Sequence, residues 1–263
     1  MSNITRREVV SGTTLTVVLG LVVCALTFTL LSAQPPEGEK KEKEKKGDKK
    51  KGKGKGGPSG LIKPSMADTI KANIYADNWF IMYINGKLTA VDSIDFIPHN
   101  VMSIDILPEY PMTIAVMAKD NADPKTGLEY GDHIGDGGFI LKFGDGTVTS
   151  AKWKAKSFFT GPLGSDVKNP KVKHEPIPDN WWAVDFDDSK WGYATEYTEE
   201  RVNPKEPFYK ADFKDAKWIW TSDLDLDNTV IFRYRVDKPG WKPRWNTKPN
   251  LDISGALPWR AGK

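Results

Sequence analysis

The sequence has little cysteine and little histidine, with one cysteine and three histidines among 263 residues. Cys24 lies in an apolar run and has no second cysteine to pair with, so no intrachain disulfide can form. The ordered part of the chain must therefore be held together by its core. The sequence also lacks a His-Glu-x-x-His zinc motif, a Gly-x-Ser-x-Gly nucleophile elbow and a Glu-x-Asp-x-x-Glu pair of carboxylates. These absences argue against metal-dependent and nucleophilic catalysis. We therefore predict that the chain is not an enzyme and has no catalytic residues.

Positive charge is concentrated in one short part of the chain. The formal net charge is +3, but residues 37 to 55 alone carry ten lysines and five acids. Residues 61 to 263 hold a net charge of −3. Because the basic character belongs to one stretch and not to a folded surface, a nucleic acid partner is not expected.

Two N-terminal segments differ in composition from the rest of the chain. Residues 15 to 33 contain no charge and follow Arg6 and Arg7, which is typical of an export signal or a membrane anchor. Residues 34 to 63 are rich in lysine and have few large apolar side chains, so we expect a disordered linker. We expect residues 1 to 33 to contact a membrane and the folded domain to lie outside the cytoplasm, exported, periplasmic or membrane-anchored. The lysines after the apolar segment favour the opposite orientation under the positive-inside rule.

Residues 64 to 237 consist of short apolar runs separated by Gly, Asn, Asp and Pro, with almost no helical periodicity. This pattern predicts an all-β antiparallel sandwich, preceded by an N-terminal apolar helix and a disordered tether. The run WFIMYI is apolar on both faces and is expected inside a sheet, and Asn85-Gly86 after it predicts a tight hairpin. The run TVIFRYRV alternates, which places Arg233 and Arg235 on a solvent-exposed face.

Residues 238 to 263 form a tail with three tryptophans, four prolines and little regular pattern. Such a segment can wrap around the sandwich, or it can extend as a ligand for another protein chain. Both alternatives stay open at the level of the sequence.

The segment at residues 181 to 194, WWAVDFDDSKWGYA, places adjacent acids and a serine between tryptophans. These carboxylates could belong to an active site, a metal site or a scaffold. An aspartate at 187 or 188 followed by Ser189 can close an Asx turn or cap one helical turn, with Trp191 anchored in the core. Because buried aromatic residues around a polar turn are a packing device, we interpret the segment as scaffold.

Three stretches together resemble one protein family. They are IKANIYADNWFIMYINGK, FDDSKWGYA and AKWIWTSDLDLDNTVIFRYRV. They are similar to the galactose-binding-like jelly-roll domain, an accessory sugar-binding domain of rhamnosidase-type and β-galactosidase-type glycoside hydrolases. The resemblance rests on a Tyr-x-Asn-Gly hairpin, a Phe-Asp-Asp-Ser-x-Trp turn and a Trp-Ile-Trp strand, and it covers residues 66 to 236. It implies an antiparallel jelly-roll β-sandwich that binds sugar.

The long loop at residues 120 to 138 is glycine-rich and contains three candidate ligand-binding residues, Tyr130, Asp132 and His133. Saccharide recognition needs an aromatic face for the apolar side of a pyranose and planar polar side chains for its hydroxyls. Trp181 is the tryptophan that the core pattern needs least, and it completes the predicted site. The alternative is that the loop is a solvated connection.

Asp223, Asp225 and Asp227 alternate with other residues, so their carboxylates would project to one side of an extended segment. Oxygen ligands of this kind suit calcium. The stretch does not follow the EF-hand pattern, but galactose-binding-like domains often carry a structural calcium ion. Calcium is the one cofactor that the sequence suggests, and the alternative is a solvated hairpin loop with no cofactor.

The leading hypothesis for function is a non-catalytic carbohydrate-binding or envelope-binding module, exported or membrane-anchored. The first alternative is a structural or adhesive module that binds a protein partner through the C-terminal tail. The second alternative is a small glycoside hydrolase that uses loop carboxylates. The expected partners are therefore a carbohydrate or another component of the cell envelope, with the membrane contacted through the N-terminal segment.

Overall fold

The computed structural model describes residues 60–94 and 101–248. The apolar segment predicted to be an N-terminal helix, most of the lysine-rich linker and the end of the C-terminal tail lie outside these residues. Within the two described ranges, no helix is long and apolar enough to cross a membrane.

Strands account for nearly all regular structure in the described part of the chain. They are β1 (Ile70–Asp77), β2 (Trp79–Ile84), β3 (Lys87–Val91), β4 (Met102–Ile106), β5 (Met112–Lys119), β6 (Leu128–Glu129), β7 (His133–Ile134), β8 (Gly138–Phe143), β9 (Lys154–Thr160), β10 (Lys173–His174), β11 (Gly192–Tyr193), β12 (Thr195–Tyr197), β13 (Trp218–Trp220) and β14 (Asp227–Val236). Helical structure is limited there to one α-helical turn, α1 (Glu199–Val202), and to 3-10 turns at Met66–Asp68, Leu163–Ser165 and Lys210–Phe213.

The strands form two large sheets and one small hairpin. The first sheet has five strands in the order β12-β13-β8-β1-β4. The second sheet has seven strands, with the path β10-β9-β14-β5-β2-β3 and with β11 also paired to β9. β6 and β7 pair as a separate hairpin, and the ladders between the described strands are antiparallel. The chain is therefore an antiparallel β-sandwich, as its residue pattern predicts.

The inner faces of the two large sheets bury one apolar core. Alternate side chains along each strand point inward and are fully buried, for example Ile74 of β1 and Ile114 of β5. Phe139 of β8 stacks on Phe232 of β14 with ring centroids 5.3 Å apart, which joins the two sheets across the core. Trp220 of β13 packs against the same Phe232 at 5.6 Å.

The hairpin between β2 and β3 has the geometry that its residues predict. Asn85 and Gly86 have φ values of 48° and 74°, the positive φ that a two-residue turn of this kind requires. β2 lies between β5 and β3, so it is an interior strand, in agreement with its two apolar faces.

A second, smaller apolar cluster covers the outer face of the seven-stranded sheet. Its buried members come from three strands of the sheet and from the segment at 181–191, and they are Ala115, Phe158, Trp181, Trp191 and Ile231. The cluster forms because this segment folds back over the sheet. Strands of the second sheet are therefore apolar on both faces. One face packs in the core between the sheets, and the other packs in the outer cluster.

Arg233 is buried beneath this covering segment, and the prediction that it lies on a solvent-exposed face is wrong. Its side chain is 3% exposed, and its Nε donates to a carboxylate oxygen of Asp188 at 2.8 Å. Its two terminal nitrogens donate to the carbonyl oxygens of Trp181 and Ala183. Arg235, two residues further along β14, is exposed as predicted, with an exposed fraction of 54%.

The tail packs against the domain over residues 238 to 248. Trp245 is buried, and the Trp241 ring meets the Tyr110 ring edge-on at 5.2 Å. Arg244 Nε donates to the carboxylate of Asp68 at 2.7 Å, and this hydrogen-bonded pair lowers the pKa of Asp68 below its usual range. Of the two alternatives for the tail, wrapping holds for these residues. A protein partner for the tail stays a prediction for residues 249–263, which lie outside the described ranges.

Candidate functional site

A groove of about 530 Å³ lies on the outer face of the seven-stranded sheet, beside the covering segment. Its floor includes Lys119 of β5 and Thr229 of β14, which are paired in register, and Trp79 of β2 is paired with the same Lys119. The neighbours of these residues along the strands belong to the inner core, so the three face outward. The lining residues are Asn78, Trp79, Met117, Lys119, Asp120, Asn121, Ala122, Pro124, Phe158, Phe159, His174, Glu175, Ile177 and Thr229.

Trp79 supplies an aromatic wall of this groove. Its indole Nε1 donates to the carbonyl oxygen of Asp92 at 3.0 Å, and this bond holds the orientation of the ring. The residue is half-buried, so part of it remains open to solvent. A partly exposed indole held in place is suited to stack against an apolar ligand face.

His174 and Glu175 contribute from a different part of the chain. The His174 ring stacks on Phe159 with centroids 4.4 Å apart, and its Nε2 donates to the carbonyl oxygen of Pro124 at 2.8 Å. Lys173 lies 2.6 Å from the Glu175 carboxylate and Lys156 lies 3.0 Å from it. These hydrogen bonds lower the pKa of Glu175, the one to Lys173 most, so its carboxylate is ionised at neutral pH. The groove therefore carries a fixed hydrogen-bond acceptor.

Two asparagines line the groove, Asn78 between β1 and β2 and Asn121 in the loop that follows β5. The backbone N–H of Asn121 donates to the side-chain oxygen of Asn78 at 2.7 Å. Asn78 is itself held by its backbone N–H, which donates to the carbonyl oxygen of Lys119 at 2.8 Å. The half-buried Asn121 places an amide group, which can both donate and accept, at the edge of the groove.

Asp120 has a carboxyl group buried beside the groove. One of its oxygens accepts from the backbone N–H of Asn121 at 2.6 Å. Burial is the main cause that raises the pKa of Asp120 well above its usual range, and the neighbouring carboxylates of Glu129 and Asp77 raise it further. Gly135 packs directly on the other oxygen, since a Cβ at this position would lie 1.9 Å from it. The carboxyl group is therefore shielded from solvent and keeps its proton to higher pH than an exposed aspartate does.

Asp120→Asn is expected to raise the melting temperature at pH 7 to 8 and to leave it nearly unchanged near pH 3. In the unfolded chain Asp120 loses its proton near the ordinary value of 3.8, whereas the folded chain keeps the proton to higher pH. The wild-type protein therefore loses stability as pH rises through this interval, and an asparagine, which does not ionise, does not. Thermal unfolding between pH 3 and pH 8 measures the difference. Asp132→Asn, an exposed change in the same loop, is the control, and a wild-type profile parallel to that of Asp120→Asn would contradict the prediction.

The structure brings together three of the residues predicted to bind ligand, but outside the groove. Tyr130, Asp132 and His133 lie at the tip of the β6–β7 hairpin, where Tyr130 is 79% exposed. Asp132 Oδ1 lies 2.6 Å from His133 Nδ1, and the Tyr130 and His133 rings are 6.5 Å apart. The hairpin tip is a small polar and aromatic cluster, whereas the groove is lined by the first residues of the same loop.

Trp181 does not join these residues. It is 6% exposed and meets Tyr83 edge-on at 5.3 Å within the outer cluster, so the expectation that the core needs it least is wrong. The next residue, Trp182, is half-buried, and its ring stacks on that of Tyr83 with centroids 5.4 Å apart. Two adjacent tryptophans thus serve packing on the same tyrosine.

The three aspartates suggested as calcium ligands are held by separate partners. Asp225 pairs with Arg201, with both carboxylate oxygens 2.6 Å from one guanidinium nitrogen. Asp227 accepts from Thr160 at 2.6 Å, and Asp223 accepts from backbone N–H groups in its own turn. In the described part of the chain no group of three His, Cys, Asp or Glu side chains is arranged to hold a metal ion. These aspartates therefore shape the loop before β14.

The adjacent acids at 187 and 188 act as scaffold, as the sequence interpretation holds. Asp187 Oδ1 accepts from the backbone N–H of Ser189 at 3.0 Å, which is the predicted Asx turn. Asp188 pairs with the buried Arg233, and Trp191 is buried against Phe158 with ring centroids 5.8 Å apart. This segment is held in place by contacts inside the domain.

Sequence reasoning missed Trp79, His174 and Glu175 as members of one site. Trp79 carried a usable signal, because a strand that is apolar on both faces must have a covered outer face. His174 and Glu175 carried none, since they lie in and just after the two-residue strand β10, about a hundred residues away in the chain. Comparison with protein-family models, with curated proteins and with solved structures found no match for this chain. The fold and the groove thus define a β-sandwich with a candidate ligand site on the outer face of one sheet.

Proposed function

We propose that this chain is a non-catalytic saccharide-binding module, and that the groove beside Trp79 is its binding site. The observation that carries the proposal is the pairing, within one groove, of a partly exposed indole with the ionised carboxylate of Glu175. A pyranose has an apolar face that stacks on an aromatic ring and hydroxyls that donate to carboxylates and amides. The groove offers both kinds of contact.

The size and polarity of the groove support a small ligand. Its volume of about 530 Å³ lies within the range of ordinary ligand pockets. Asn121 supplies an amide and the exposed Lys119 supplies an ammonium group, so hydroxyls can be met by both donors and acceptors. Because Trp79 and Lys119 lie on strands of the sheet, this part of the site requires little ordering when a ligand binds.

The proposal includes a location outside the cytoplasm, exported or membrane-anchored, with a cell-envelope polysaccharide as the ligand. Its support is the uncharged segment at residues 15 to 33 and the resemblance of three stretches to galactose-binding-like domains. We further propose that the lysine-rich stretch at residues 34 to 59 is a tether that lets the domain reach its ligand.

The test is a titration of the chain with a panel of glycans, in which tryptophan fluorescence reports binding. We expect at least one glycan to bind saturably, and we expect Trp79→Ala to weaken its binding by roughly tenfold or more, because the stacking contact and its buried area are lost. Glu175→Gln keeps the size of the side chain and removes its charge, and it is expected to weaken binding as well.

Tyr130→Ala is the matched control, because it removes an aromatic ring from the exposed hairpin tip and not from the groove. Binding should survive this change. If no glycan binds, the saccharide proposal is wrong. If binding survives Trp79→Ala and is lost in Tyr130→Ala, the site is the hairpin predicted from the sequence.

A further inference from the structure

The loop at residues 120 to 138 begins with a carboxyl group that is buried inside the domain. Asp120 follows β5 directly and is 6% exposed. Its backbone N–H donates to the carbonyl oxygen of Asn228 in β14 at 2.9 Å, and its Oδ1 accepts from the backbone N–H of Asn121 at 2.6 Å. The start of the loop is therefore fixed to the sheet, and the Asp120 side chain is held away from water.

The second oxygen of Asp120, Oδ2, has no hydrogen-bond partner within residues 60–94 and 101–248. The group beside it is another carboxyl, that of Glu129 in β6, and Asp77 at the end of β1 adds a third acid nearby. Gly135 closes over both side chains, since a Cβ at this position would lie 1.9 Å from Asp120 Oδ2 and 3.4 Å from Glu129 Cγ. Neither solvent nor a basic side chain fills this contact.

Two ionised carboxylates in contact repel each other, and neither has a proton to donate. A single proton removes both problems, because a protonated carboxyl donates a hydrogen bond to its carboxylate neighbour. Burial is the main cause that raises the pKa of Asp120, and the hydrogen bond to Glu129 raises it further. The proton therefore joins the end of β5 to the β6–β7 hairpin.

The same loop forms part of the groove beside Trp79. Asn121, Ala122 and Pro124, which follow Asp120 in the chain, line the groove. Leu128 anchors the loop separately, since it is 2% exposed. A change in the contact between Asp120 and Glu129 would therefore move one wall of the groove while the loop stays attached to the domain.

We propose that Asp120 and Glu129 form a proton-dependent latch, which holds the 120–138 loop closed at low pH and loosens it as pH rises. In the loosened loop the Asp120 carboxylate becomes hydrated and no longer faces Glu129 at close range. The latch works without any ligand in the groove, so it is tested separately from saccharide binding.

The direction of the pH dependence follows from the two states of Asp120. In the open loop Asp120 loses its proton near the ordinary value of 3.8, whereas in the closed loop it keeps the proton to higher pH. The closed state is therefore favoured most below about pH 4. Each pH unit above this value increases the open fraction by up to about tenfold, until Asp120 ionises in the closed loop as well.

The experiment measures backbone hydrogen exchange of the full-length, ¹⁵N-labelled chain by NMR between pH 4 and pH 8, relative to the intrinsic exchange rate at each pH. We expect the protection of the amides at 128–134 to fall by about tenfold per pH unit over part of this range. The core amides of β8 are expected to exchange more slowly at every pH, because the latch opens without unfolding of the domain.

Asp120→Asn and Glu129→Gln each replace the shared proton by an amide donor that does not ionise. Either variant should make the protection of the hairpin nearly independent of pH, so one of them suffices if the other does not fold. Asp132→Asn, which changes an exposed carboxylate of the same hairpin, is the control and should keep the wild-type dependence.

Three results would overturn the latch. The first is wild-type protection at 128–134 that does not change between pH 4 and pH 8. The second is a pH dependence that survives in Asp120→Asn and Glu129→Gln. The third is exchange of the hairpin amides no faster than that of the β8 amides, since the loop would then open only with the whole domain.

Discussion

Arg233→Ala is expected to lower the free energy of unfolding by about 3–4 kcal/mol. The guanidinium is buried and donates to the Asp188 carboxylate and to the carbonyl oxygens of Trp181 and Ala183. Without it, a partly buried carboxylate and two carbonyl groups lose their partner at once. The segment at 181–188 also loses the contact that holds it on the sheet.

Arg235→Ala is the matched control for this change. It removes the same side chain from the same strand, but Arg235 is exposed and its pair with Asp237 is long, at 3.3 Å. We expect this substitution to cost about 0–1 kcal/mol. Urea unfolding of both variants measures the difference, and equal costs would show that the covering segment does not depend on Arg233.

Trp191→Ala is expected to cost about 3–5 kcal/mol, the usual range for truncation of a large buried aromatic side chain. Trp191 is 9% exposed, and its ring lies 5.8 Å from that of Phe158 and 5.4 Å from that of Phe186. Its carbonyl oxygen accepts from Lys154 Nζ at 3.0 Å, so its backbone is held as well. Removal of the ring leaves a cavity in the small outer cluster, which has few other residues to fill it.

Tyr193→Ala serves as the comparison, since Tyr193 lies two residues away and is 64% exposed. We expect its melting temperature to stay close to that of the wild type. An unchanged melting temperature for Trp191→Ala would mean that its ring is not part of a stabilising cluster. The acidic segment around it would then have to be reconsidered as a ligand site.

The parts of the fold that depend on local patterns could be predicted from the sequence. The strand at residues 79 to 84 follows from a run that is apolar on both faces, and the hairpin after it follows from two residues that tolerate positive φ. The Asx turn at Asp187 is likewise a short-range arrangement, with donor and acceptor two residues apart. In each case the residues that determine the structure are neighbours in the chain.

The burial of Arg233 could not be predicted in this way. Alternation along β14 correctly separates its two faces, but it does not reveal that a segment some fifty residues earlier covers one of them. The acceptors of the guanidinium are mostly backbone carbonyls, which any sequence contains. Only the fold brings Arg233 and the covering segment together.

The candidate site could not be predicted from the sequence for the same reason. The sequence grouped Tyr130, Asp132 and His133 because they are close in the chain, and the structure keeps them together on an exposed hairpin. The groove combines Trp79, Asn121 and Glu175 from three distant segments, so chain proximity could not identify it. Packing between a sheet and the loops over it determines the groove.

The most direct test of the account is a chemical-shift map of the chain with the glycan that binds it best. We predict that the largest changes fall on the Trp79 indole N–H and on the backbone amides of Asn121 and Glu175. Changes confined to the hairpin at 128–134, or the absence of changes with every glycan tested, would contradict the claim that the groove is a saccharide site.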